Sequence, residues 1–233
     1  MKTKEAIILA GGLGTRLKSV ISDIPKPMAE VAGKPFLEYI FMYVKRYKIE
    51  RIVLSVGYRY EVIKAYFGTS FLDMELVYAI EDEPLGTGGG IQNALKKVTS
   101  ESVFLINGDT FFNVDLGKLE SYFTSQDFDL CFALRPMKNF DRYGEVVVGE
   151  DRVVDFNEKR LVKEGLINGG VYLLRADIFE KTGLSGKFSF ETDYLAEYKD
   201  VHKFGYIINN TYFIDIGIPE DYNRAHQEIP RLF

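Results

Sequence analysis

Residues 6–35 read AIILAGGLGTRLKSVISDIPKPMAEVAGKP, and the fold is decided in this stretch. Residues 6–10 are wholly apolar, the pattern of a short strand buried on both faces. The run passes directly into Gly11-Gly12-Leu13-Gly14-Thr15-Arg16. Three glycines in four residues let the backbone turn sharply and present consecutive N–H groups, an arrangement that cradles phosphate oxygens. Arg16 adds a planar fork of donors, and Lys26 adds a point charge held between two stiff residues, Pro25 and Pro27. The spacing matches neither G-x-G-x-x-G nor a glycine loop closing on Lys and Ser or Thr. On the residues alone, a phosphate cradle and a structural turn both stay open.

Outward from this stretch, apolar β-type runs at 51–56, 75–80, 102–107 and 129–134 alternate with helical patterns at 36–47, 59–67, 87–98 and 116–123. Such alternation argues for a parallel sheet covered by helices. The second half is richer in β patterns, at 144–148, 152–156 and 166–173, with Gly149-Glu150-Asp151 as a hairpin turn. Helices are expected at 177–182, 191–198 and 220–227, and short strands at 202–208 and 212–214. No repeat or linker interrupts the 233 residues, so one domain is expected over 1–233, its second part from about residue 144 facing a substrate.

A net charge of −5 argues against a nucleic-acid backbone as partner, so a basic phosphate site has to be local. Cys131 is the one cysteine and lies in an apolar run, which excludes an intrachain disulfide and reads as a buried structural thiol. No apolar stretch is long enough to span a bilayer and no leader is visible, so a cytoplasmic protein without a membrane partner is expected. A homodimer is left open.

Two aspartates follow apolar strands, Asp109 in Asn107-Gly108-Asp109 and Asp215 in Phe213-Ile214-Asp215. Ligands of open parallel sheets bind beyond the carboxyl ends of the strands. A triphosphate handled as its Mg²⁺ complex needs one or two carboxylates there. Each aspartate could equally serve as a turn or helix-cap residue. The loop Glu81-Asp82-Glu83-Pro84-Leu85-Gly86-Thr87-Gly88 combines acids with glycines that let a flat base approach the backbone. A carboxylate is the natural acceptor for the N1–H and N2–H₂ edge of guanine, which makes Glu83 and Glu81 candidates beside a plain solvated loop.

LAGGLGTRL followed by PKPM and GKPFLEY resembles the N-terminal signature of the sugar-1-phosphate nucleotidylyltransferases. The resemblance implies a Rossmann-like α/β/α sandwich with a mixed, mainly parallel central sheet. It also implies a reaction of nucleoside triphosphate with sugar 1-phosphate to give nucleotide sugar and pyrophosphate. By the same resemblance Leu9, Ala10, Gly11, Gly12, Gly14, Thr15, Arg16, Glu83 and Gly88 bind the nucleotide, with Arg16 and Lys26 catalytic. Asp109 and Asp215 match the family's metal-binding aspartates, which implies Mg²⁺. Phe156-Asn157-Glu158-Lys159-Arg160 resembles F-x-E-K-P, with Arg160 in place of Pro, and gives Glu158 to sugar hydroxyls and Lys159 to the sugar phosphate. Gly144, Asn168 and Gly169 match positions lining the sugar pocket.

RLKSVISDIPKPMAEVAGKPFLEY is similar to the branch that guanylylates D-glycero-alpha-D-manno-heptose 1-phosphate, and the base loop lacks the Gln of thymidylyl-transferring relatives. The expected partners are therefore GTP and that sugar 1-phosphate. A mannose or other hexose 1-phosphate enzyme and a catalytically silent sugar-nucleotide sensor are the alternatives.

Overall fold

The computed structural model describes residues 1–12 and 24–233. From the N-terminus come β1 (Glu5–Leu9), a ribbon of β2 (Glu30–Val31) and β3 (Lys34–Pro35), and helix α1 (Phe36–Arg46). Next are β4 (Arg51–Val56), α2 (Tyr60–Phe67), β5 (Ser70–Phe71), β6 (Met74–Ile80) and α3 (Gly86–Leu95). The middle of the chain supplies β7 (Ser102–Asn107), β8 (Thr110–Phe112), α4 (Leu116–Gln126) and β9 (Leu130–Phe140). Then follow β10 (Glu145–Val148), β11 (Val153–Asn157) and the long β12 (Val162–Arg175). A π-helical turn at Phe190–Leu195 runs into α5 (Ala196–Tyr198), before β13 (Phe204–Ile208), β14 (Phe213–Asp215) and α6 (Pro219–Glu228).

β1 lies between β4 and β7, parallel to both, with Ile8 opposite Leu54 on one side and Ile106 on the other. β6 extends the parallel set beyond β4, while β12 joins β7 antiparallel and carries β9 on its other edge. The sheet is thus mixed and mainly parallel at its centre, as expected. Side chains alternate across it. Ala6 and Ile8 enter a core with Phe36, Leu37 and Ile40 of α1, whereas Ile7 enters a second core with Ile91 and Ala94 of α3. A strand buried on both faces has no polar side to show, which is why β1 reads as an unbroken apolar run. Each buried Ile, Leu or Phe contributes about 1.5–3 kcal/mol against solvent exposure. Cys131 is fully buried, and burial pushes its thiol up to about 12, which leaves it an inert core group.

The expected helix at 177–182 is not formed. Amides of Ile178, Glu180 and Thr182 each reach back three residues, giving turns that end at Gly183 with φ +71°. The expected helix at 191–198 starts as a π-helical turn, a rare form that is frequent at functional sites. β9 and β12 run well past their expected ends, β14 lies one residue past the strand expected at 212–214, and its partner β8 has no counterpart among the expected strands.

Glu5 is 4% exposed at the start of β1 and is fully answered. Its carboxylate accepts from the amides and hydroxyls of Thr99 and Ser100, and from Arg51. Burial by itself raises its pKa, but these donors outweigh it and hold the carboxyl down at about 2. A depressed carboxylate stabilises the fold at pH values above its unfolded pKa and loses that contribution as the pH falls through the folded value. The expected result is a wild-type advantage over Glu5→Gln of roughly 2 kcal/mol near neutral pH, less than the full shift because the rim sees solvent. Urea unfolding across the acid range should show most of it vanishing between about pH 4.5 and pH 2. A difference between the two proteins that stays constant with pH would show that the ionised form of Glu5 is not what stabilises this strand.

Candidate active site

The carboxyl ends of β1 and β7 open onto a cavity of about 560 Å³. Gly108 makes the junction: its amide donates to Leu9 O at 2.9 Å, and a Cβ there would lie 2.4 Å from the same oxygen. No other residue lets β7 turn so close to β1, and the turn delivers Asp109 to the cavity. β8 then pairs antiparallel with β14, setting Thr110 opposite Asp215, and the Ile216 amide bonds to Asp109 O. Two strand ends far apart in sequence therefore deliver their carboxylates to one place.

Lys26 joins them. It opens a short 3₁₀ turn at Lys26–Met28 between Pro25 and Pro27, and its ammonium lies 2.7 Å from Asp109 Oδ2 and 3.3 Å from Asp215 Oδ1. The Gly217 amide also donates to Asp215 Oδ1, at 2.7 Å. Both carboxylate oxygens touch one nitrogen, so the pair converges on a point where positive charge is already held. Among the described residues no cluster of three or more His, Cys, Asp or Glu forms a metal cage. Two carboxylates with room for phosphate oxygens nevertheless match what Mg²⁺ takes from a protein.

The opposite side of the cavity is built by β12. Its pairing with β9 slips between Asn168 and Tyr172, so two extra residues bulge out, and Gly170 carries φ +73°. Bulges re-aim side chains next to active sites. Here Asn168 Nδ2 reaches the Tyr172 hydroxyl at 2.6 Å while its Oδ1 takes the Gly170 amide at 3.1 Å. Gly12, Gly144, Lys159, Asn168 and Gly169 all line the cavity with Lys26 and the two aspartates.

Other expected residues lie elsewhere. Gly14, Thr15 and Arg16 fall outside the described residues. Leu9 and Ala10 are engaged through the backbone, Leu9 O by the Gly108 amide and Ala10 N with Ser55 O at 2.8 Å. Gly11 packs against Glu81, whose carboxylate accepts from the Ser55 hydroxyl at 3.2 Å and the Leu85 amide at 3.0 Å. Glu83 is exposed, and so is Glu158, which is not among the cavity residues. Gly88 lies under the ring of Phe188, its amide spent on Phe188 O at 3.0 Å. Among the cavity groups that the sequence reading missed are Arg142, Tyr143 and Glu191. Glu191 Oε2 accepts from Thr87 Oγ1 at 2.9 Å, which ties the start of α3 to the π-helical turn. The one available signal was that Arg142 and Tyr143 immediately precede Gly144.

A glycine-turned parallel sheet with a lysine bridging two strand-end carboxylates defines a nucleotide-handling α/β protein whose chemistry occurs beyond the strand ends. The chain belongs to the nucleotidyl transferase family, whose pattern it matches over residues 5–231. It is 52% identical over 225 residues to D-glycero-alpha-D-manno-heptose 1-phosphate guanylyltransferase of Aneurinibacillus thermoaerophilus, covering 97% of this chain and 98% of that one. It is 53% identical over 219 residues to the guanylyltransferase of the same name from Campylobacter jejuni, covering 94% and 96%. The crystal structure of HddC from Yersinia pseudotuberculosis complexed with GMP-PN superposes with a TM-score of 0.85 at 39% identity, over 97% of this chain and 99% of that one.

Proposed function

We propose that this chain transfers GMP from GTP to D-glycero-alpha-D-manno-heptose 1-phosphate, giving GDP-heptose and pyrophosphate. The observation that carries the reading is the agreement of two relatives above half identity, each aligned over nearly its whole length. An oxygen of the sugar phosphate attacks the α-phosphorus in line, and pyrophosphate leaves. The nucleophile is already anionic, so no general base is needed, and catalysis rests on positioning and on charge neutralisation. Lys26 neutralises the α-phosphate and Lys159, across the cavity, the incoming sugar phosphate. Arg16 holds the departing β,γ-phosphates. Gly144, Asn168 and Gly169 shape the sugar pocket, and Glu158 is assigned to sugar hydroxyls by the resemblance alone. Asp109 and Asp215 would hold Mg²⁺, which when bound supplies further positive charge at the reacting phosphates. The site of action is the cytoplasm, consistent with the single buried cysteine.

Glu83 is the proposed reader of guanine, since its carboxylate is free to accept from the base edge while Glu81 is occupied in bracing the loop. Losing a charge-assisted contact costs about 1.5–3 kcal/mol, so Glu83→Gln should erode GTP preference by roughly ten- to a hundredfold. Pyrophosphate release is measured with GTP, CTP, UTP and dTTP against heptose, mannose and glucose 1-phosphates. Wild-type preference for a pyrimidine triphosphate overturns the guanylyl assignment, and preference for a hexose overturns the heptose one. Unchanged base preference in Glu83→Gln removes that residue from the reading.

A further inference from the structure

Asp215 is held from both of its oxygens. Oδ1 takes the Gly217 amide and Lys26, while Oδ2 lies 3.3 Å from the hydroxyl of Tyr143. That hydroxyl also receives Arg142 Nη2 at 3.3 Å. An arginine carries donors and no acceptor, so the phenol oxygen accepts from Arg142 and its single proton is left for Asp215. Arg142 is itself anchored. Its Nη2 lies 2.7 Å from Asp221 Oδ2 in the first turn of α6, and Asp221 is 8% exposed and shared with Arg224 at 2.8 Å. The Tyr143 ring packs edge-on against Phe213, with centroids 6.0 Å apart, so the hydroxyl has little freedom to turn away.

We propose that Tyr143 is a positioning residue for Asp215, and that Asp221 and Arg142 fix the direction of its hydrogen bond. The inference rests on the functional reading above for the cation it serves. A carboxylate offers about four lone-pair sites, and here Gly217, Lys26 and Tyr143 take three. The remaining one, with whatever Lys26 yields, keeps one orientation and would be available to a cation. Groups that orient a metal-binding carboxylate in this way matter nearly as much as the carboxylate itself. Asp221, which looks in the sequence like ordinary helix-start chemistry, thereby acts on the site through two other side chains.

The test uses the full-length protein and Tyr143→Phe, which keeps the ring and removes only the hydroxyl. Mn²⁺ is titrated and followed by its paramagnetic resonance signal in the presence of saturating α,β-methylene GTP. Tyr143→Phe should weaken Mn²⁺ binding by about tenfold with an unchanged melting temperature, and turnover should fall with little change in KM for the sugar phosphate. Asp221→Asn should shift Mn²⁺ affinity in the same direction by a smaller factor. A Mn²⁺ affinity in Tyr143→Phe equal to wild type overturns the proposal, as does a lowered melting temperature with affinity intact. Wild-type turnover of GTP is measured in parallel. Its absence would overturn the functional reading and leave the metal titration still deciding the role of Tyr143.

Discussion

Asp109→Ala and Asp215→Ala should each lower turnover by about 10³-fold or more, because a metal clamp on reacting phosphates is worth several kcal/mol and neither carboxylate has a substitute. The geometry makes the two losses comparable. Both oxygens face one point, at 2.7 and 3.3 Å from Lys26 Nζ, so removing either would leave a phosphate-bound cation with one protein carboxylate in place of two. Asp109 follows the turn at Gly108, and Asp215 ends a three-residue strand, so neither side chain supports the core. Both variants should melt close to wild type. The measurement is steady-state pyrophosphate release with Mg²⁺ titrated to saturation, beside thermal unfolding. Turnover within tenfold of wild type in both variants would remove the aspartates from the chemistry.

Lys26→Ala should cost about 10²–10³ in turnover, the size of effect seen when one positioned donor is taken from a developing anion. It should also differ in kind from the aspartate variants. Lys26 competes with any cation for the same two carboxylates, so its removal should leave the Mg²⁺ requirement no higher than in wild type while the maximal rate falls. Kinetics at saturating substrates separate the two cases. A rise in KM for the triphosphate with turnover intact would make Lys26 a binding group only.

The parallel half of the sheet is legible in the sequence because β1, β4 and β7 are buried along nearly their whole length and read as mainly apolar runs between helical patterns. The two aspartates are harder. Each taken singly looks like a turn residue, and their meeting depends on the pairing of β8 with β14: β14 shows as a short apolar run, but β8 is too short for periodicity to register and nothing local encodes the pairing. Glu81 and Glu83 illustrate a second limit. Composition makes them equivalent, but Glu81 directly follows β6 and is turned back onto Ser55 and the Gly11 backbone, while Glu83 lies past the bend in solvent. Tyr143 and Arg142 were hidden for another reason: their partners Asp215 and Asp221 come from the far end of the chain, and no local spacing encodes that contact.

The ribbon of β8 with β14 has a consequence for how the chain matures. β4, β6 and β7 follow one another with one covering helix between each pair, so the loops that bring them together are far shorter than the one that brings Asp215 to Lys26. Lys26 and Asp215, in contact across the cavity, stand 189 residues apart. Contacts of such long separation are entropically the slowest to be made. A chain still emerging from synthesis can therefore complete the glycine turn and the sheet around it while one half of the carboxylate pair is missing. Until the C-terminal strand pairs with β8, such a chain lacks Asp215 beside Lys26, and a site that needs both carboxylates would stay incomplete.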